Sequence, residues 1–153
     1  MIAALLLAAA AAASDATPDF NMFVGSCWVA DFTATMTDRH CFTRILGGTH
    51  IRDAHEVKEG GRAVYAGETT YSVDGDGVVF TYFNSLGGMG RGTVAERDEM
   101  LRFTGSMRAS PDKPPEKIDS EWRMVDDDHY EVRSLVPSAS TAGNQALRFT
   151  REK

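Results

Sequence analysis

The chain has 153 residues, with 16 Lys and Arg against 22 Asp and Glu and a formal net charge of −6. That length holds one domain with a core of its own. The acidic balance, with its bases scattered rather than clustered, excludes the electrostatic footprint of a nucleic-acid or anionic-lipid binder. The first element is the apolar block Met1 to Ala13, followed by Ser14-Asp15-Ala16 and Pro18. A short alanine and leucine run with a small-residue end reads as a signal peptide over 1–16, cleaved after Ala16 or, alternatively, after Ala13. The run is shorter than the roughly 20 residues a membrane helix needs, and no later segment supplies one, so a periplasmic or secreted protein without a membrane span is expected.

Residues 17–153 read as a single all-β domain. Alternating runs rich in Val, Ile, Thr, Phe and Tyr predict about ten strands, at 25–33, 39–46, 50–57, 62–73, 77–85, 89–96, 99–108, 117–125, 129–136 and 146–151. Between them stand Gly47-Gly48, Gly60-Gly61, Asp74-Gly75-Asp76-Gly77 and Asp126-Asp127-Asp128, residues that tolerate the positive φ of hairpin turns. Strands joined this way run up and down in sequence order. So many of them remove their exposed edges most simply by closing into an antiparallel barrel, around either a packed interior or a small-molecule cavity. The polar loops at 110–115 and 137–144 are too short to separate domains.

The two cysteines, Cys27 and Cys41, fix a register. A hairpin centred near Ala34 sets Cys27 opposite Cys41 and Trp28 opposite His40, so a cross-strand disulfide is expected. Closing such a loop is worth about 3 kcal/mol in the chain-entropy account. The spacing is not Cys-x-x-Cys, which argues against a redox pair. The same register puts Trp28, His40, Phe42 and Arg44 on the face opposite the cysteines. If that face lines the interior, an aromatic wall stands beside an imidazole and a guanidinium. Arg44 would then pair with the carboxylate of a lipophilic acid, or else sit at the rim or against Glu68.

Glu68, Tyr71, Tyr82 and Asn84 offer hydrogen bonds to a guest, but Phe80 and Phe83 favour opposite faces of the strand that carries Tyr82. Trp122, alternating with Ser120 and Met124, reads as an interior residue. The ligand-binding set is therefore Trp28, His40, Arg44, Glu68, Tyr71, Tyr82 and Trp122, with no catalytic residue assigned. No cofactor and no metal site is expected: His50 and His55, five apart, point to opposite faces, although a distant pair such as His40 and His55 could converge. The glycine-rich run from Gly87 to Gly92 lacks a phosphate-loop ending and reads as a bend or bulge.

Several segments together, Gly25-Ser26-Cys27-Trp28, Asp38-Arg39-His40-Cys41-Phe42, Arg52-Asp53-Ala54-His55, Tyr65-Ala66-Gly67-Glu68 and Tyr82-Phe83-Asn84-Ser85-Leu86-Gly87-Gly88, carry a resemblance. Over Phe23 to Val136 the chain resembles a group of exported bacterial proteins with a calycin-like barrel, the broad architecture of lipocalins, fatty-acid-binding proteins and nitrobindin-like barrels. Its Gly-x-x-Trp opening is one residue longer than the lipocalin Gly-x-Trp, and the nitrobindin haem motif is not recognisable. The resemblance implies a fold and a class of function: binding of a small lipophilic or amphipathic molecule in the barrel. A barrel enzyme of isomerase or cyclase type, or a structural protein with a filled interior, are the alternatives. Thiol titration of the denatured, unreduced protein checks the cysteine reading, which expects no free thiol; two free thiols would remove the disulfide.

Overall fold

The computed structural model describes residues 18–75, 77–136 and 146–153. The expected signal segment, 1–16, and the loop 137–144 lie outside these residues. Ten strands form one closed antiparallel barrel: β1 (Cys27–Asp31), β2 (Met36–Ile45), β3 (His50–Glu59), β4 (Arg62–Asp74), β5 (Gly77–Asn84), β6 (Met89–Arg97), β7 (Met100–Arg108), β8 (Glu116–Asp126), β9 (His129–Ser134) and β10 (Leu147–Arg151). Each strand pairs with the next in the chain, and β1 closes on β10 through Trp28↔Arg151 and Val29↔Thr150. This is the up-and-down barrel that the alternating runs predict. Among the described residues, no helix is long and apolar enough to cross a membrane.

The turns follow from their residues. Between β3 and β4, Gly60 and Gly61 take φ of 56° and 82°, which joins Glu59 to Arg62 across a two-residue reversal that matches the twist of the strands. Between β6 and β7 the same reversal is made by Asp98 and Glu99 at φ of 51° and 61°, without a glycine. The first hairpin has the register expected from the cysteines, with Cys27↔Cys41 and Trp28↔His40 paired. A disulfide joins Cys27 to Cys41, whose Cα atoms are 4.1 Å apart.

Alternation then sorts the side chains. Trp28, Phe42, Phe80, Phe103, Tyr130 and Phe149 point inward and are buried, while Phe83, on the opposite face from Phe80, is 54% exposed. The segment preceding β1 forms part of the core as well. Phe20 and Phe23 turn into one end of the barrel, held by Phe23 N–H to Phe20 C=O at 3.0 Å and Gly25 N–H to Phe42 C=O at 2.9 Å. Phe20 stacks on Tyr71 at 4.4 Å, and Phe23 meets Trp28, Phe42, Trp122 and Tyr130 with centroids 5.1 to 5.9 Å apart. This aromatic plug packs the end of the barrel where β2 finishes and β3 begins. The unpacked interior lies toward the other end, where β2 begins.

Because Phe23 is 1% exposed at the centre of that plug, Phe23→Ala should cost about 3–5 kcal/mol. Phe83→Ala, on the outer face, should cost well under about 1 kcal/mol. Urea denaturation of the two variants checks the contrast; equal losses would contradict the plug.

Candidate functional site

Two Asp-x-His triplets face each other inside the barrel. Asp38 and His40 stand two apart on β2, and Asp53 and His55 stand two apart on β3, so within each triplet both side chains share the inward face. The β2/β3 register sets His40 directly across from His55, and their rings stack at 4.7 Å with planes 25° apart. Each carboxylate then reaches the imidazole of the neighbouring strand. His40 Nδ1–H donates to Asp53 Oδ2 at 2.8 Å, and His55 Nδ1–H donates to Asp38 Oδ1 at 3.1 Å. His40 Nε2–H also donates to Asp38 Oδ2 at 3.1 Å. The chain continues as Tyr82 O–H donates to His55 Nε2 at 3.1 Å, and Tyr65 lies in a short hydrogen bond with Tyr82. The result is one continuous line, Asp53, His40, Asp38, His55, Tyr82 and Tyr65.

Groups of this kind are costly to bury unless they satisfy one another. The side chains of Asp53, Asp38, His55 and His40 are 2%, 7%, 12% and 13% exposed. Burial works against charge on the His40 imidazole, but the neighbouring Asp53 charge and the hydrogen bonds to Asp38 and Asp53 outweigh it and raise its pKa to about 10. Burial pushes the Asp38 carboxyl up, and its hydrogen bonds with His40 and His55 overcome that and hold it at about 2. His40 is therefore an imidazolium at neutral pH, clasped between two carboxyl groups. Burial first, and then the bond with Tyr65, raises the Tyr82 hydroxyl above its ordinary range. Burial followed by the charge of Asp53 does the same for Tyr71 and Tyr130.

This line forms one wall of a cavity of about 290 Å³. Asp38, His40, Asp53, His55, Thr69 and Tyr82 make the polar side, and Phe80, Phe103, Met107, Ile118 and Trp122 supply the apolar side, with Ser120 among them. Small residues make room for the polar wall. A Cβ on Gly67 would come within 2.4 Å of His55 Nε2 and 2.5 Å of the Tyr82 hydroxyl, so only glycine there lets those two groups meet.

The residues singled out from sequence divide into those at the cavity and those away from it. His40, Tyr71, Tyr82 and Trp122 line it. Trp28 is fully buried in the packed half, with the Arg151 guanidinium 4.5 Å from its ring centroid. Arg44 shares the inward parity but sits at the far end of β2. It bonds Asn21 and the Gly48 carbonyl, in a separate cleft of about 260 Å³ beside the plug. Glu68 has the outward parity of β4 and pairs on the surface with Arg52 at 2.8 Å. Asn84 serves its turn, accepting from Leu86 N–H and Gly88 N–H. The convergence of His40 and His55 that the sequence left open is realised, whereas sequence reasoning passed over Asp38, Asp53 and Gly67. The signal was the doubled Asp-x-His triplet on adjacent strands. No protein-family model matches the chain, and comparison with curated proteins finds no relative.

Removing Asp53 would leave the buried imidazolium without its closest partner, so Asp53→Ala should cost about 3–5 kcal/mol. Asp126→Ala, which breaks the surface pair with His129, should cost less than about 1 kcal/mol. Chemical denaturation checks both, and a loss at Asp53 no larger than at Asp126 would contradict the buried pair.

Proposed function

We propose that the chain is an exported barrel protein that binds a small amphipathic molecule inside the barrel. The observation that carries this reading is the division of the cavity into an apolar wall and a hydrogen-bonding wall. Ligand sites are commonly built this way, mostly apolar with a few placed polar groups, and a volume of about 290 Å³ is near the lower end of their range of about 300–1,000 Å³. The guest is correspondingly small. Its apolar part lies against Phe103, Phe80 and Trp122, and its polar end meets Tyr82, Ser120 and the Asp-His line. None of the lining residues is a lysine or arginine, so a hydrogen-bonding or basic headgroup suits the wall better than a carboxylate. The lipophilic acid expected from Arg44 loses its partner, because that guanidinium lies beside the plug. The resemblance to calycin-like barrels supports the same class of function, and the disulfide fits an oxidising compartment.

A second reading, acid–base turnover of the guest by a barrel enzyme, is favoured by one observation. His40, Asp38 and Tyr82 have strongly displaced acidities and converge on one cavity, as active-site acids and bases do. In that case the line from Asp53 to Tyr65 would move protons to and from the guest at the Tyr82 hydroxyl or the His55 ring.

Binding of an uncharged naphthylamine fluorophore, followed by its emission, tests the site. The unaltered protein should bind it saturably, and Ser120→Phe, which fills the cavity from β8, should weaken binding at least about tenfold, the equivalent of 1.4 kcal/mol. Leu46→Ala, on an exposed turn, should leave it unchanged. Equal binding by all three proteins would place the fluorophore outside the barrel and remove the reading.

A further inference from the structure

We propose that Asp38, His40 and His55 form a site for one divalent first-row metal ion, with an open coordination position facing the cavity. The proposal does not depend on an organic guest, since it uses only the polar wall.

The donor atoms already stand together. One ligand atom from each of the three residues lies within 4.8 Å of the others; Asp38 Oδ2 is 3.1 Å from His40 Nε2, and Asp38 Oδ1 is 3.1 Å from His55 Nδ1. An ion with bonds of about 2.0–2.1 Å in tetrahedral geometry needs donors roughly 3.3 Å apart, and each histidine donor already stands near that spacing from an Asp38 oxygen. Two imidazoles and one carboxylate are a donor set for Zn²⁺ or Fe²⁺ rather than for the oxygen-seeking Ca²⁺ and Mg²⁺. All three donors come from two adjacent strands of a closed sheet, with His40 and His55 paired directly, which holds the set together before any ion arrives.

The outer partners provide a second and independent observation. Metal-bound histidines donate their remaining N–H to a fixed acceptor. Here the nitrogen of each ring that faces away from Asp38 has such a partner: Asp53 at 2.8 Å from His40 Nδ1, and the Tyr82 hydroxyl at 3.1 Å from His55 Nε2. On the ion, His40 keeps its Nδ1 proton on Asp53 and gives up the one at Nε2. His55 moves its proton from Nδ1 to Nε2 and donates to Tyr82, which turns its own O–H toward Tyr65. Protons and metal are thus alternative occupants of the space around Asp38. Three protein donors leave a fourth position, and the cavity beside Thr69, Ser120 and Trp122 is where a water or a guest atom would take it. The remaining histidines lack these features: His50 bonds Ser72 and His129 pairs with Asp126 at the surface.

The test uses the full chain, disulfide intact, without a histidine tag and stripped by chelator. Zn²⁺ titrated into it should bind at one ion per chain. The ring signals of His40 and His55 should shift in nitrogen-15 spectra, with the His55 proton moving to Nε2, while those of His50 and His129 stay in place. His55→Gln should weaken binding at least about tenfold, Tyr82→Phe should weaken it measurably, and His129→Gln should leave it unchanged. The spectra need no variant, so a substitution that fails to fold does not remove the test. No binding by the unaltered protein would overturn the proposal, as would shifts confined to His50 or His129.

Discussion

An imidazolium held between two carboxyl groups inside an aromatic barrel is the interaction on which the rest of this structure depends. His40 can keep its charge there because Asp53 and Asp38 take its two N–H donors. Asp38 in turn keeps its low pKa because it also receives His55. Each member would be costly to bury alone, and together they cancel much of that cost. What remains is a polar line with little freedom, fixed by the β2/β3 register and limited on its far side by Gly67, Tyr82 and Tyr65.

The plug gives that line its setting. A ten-stranded barrel has more interior than its strands' own side chains fill, and Phe20 and Phe23 pack one end with help from Trp28, Phe42 and Tyr130. Water is thereby excluded beneath the polar line, which strengthens every charge interaction in it. The cavity of the Asp-His line lies on the other side, between that line and the wall of Phe80, Phe103 and Trp122. Packing and chemistry therefore divide one interior, with Tyr71 at their boundary, in contact with Phe20 and lining the cavity.

Much of the architecture was legible because it is written in short-range rules. Strand alternation and Gly-Gly or Asp-Gly turns located ten strands, and the cysteine pair set the first register, which then placed Trp28 across from His40. The closure of β1 on β10 followed from the count of strands. Parity failed where both faces of a strand carry aromatics: β5 has Phe80 inside and Phe83 outside, so the sequence left the side of Tyr82 open. Parity alone also overreached at Arg44, whose inward face leads to the plug rather than to the cavity. The plug has neither strand alternation nor a turn motif, since Phe20 and Phe23 gain their place only from long-range contacts. Asp38 and Asp53 went unread because aspartate in a strand has poor propensity and no local role. Their meaning appears only when the two Asp-x-His triplets are set side by side in register.

Native mass spectrometry of the protein purified without added ligand, after chelator treatment to remove metal, tests the central claim most directly. The account predicts a reproducible excess of mass from a small organic molecule on the unaltered chain, released on unfolding and absent from Ser120→Phe. The same excess over the polypeptide mass in both proteins, whether none or an adduct, would contradict a guest held in this cavity.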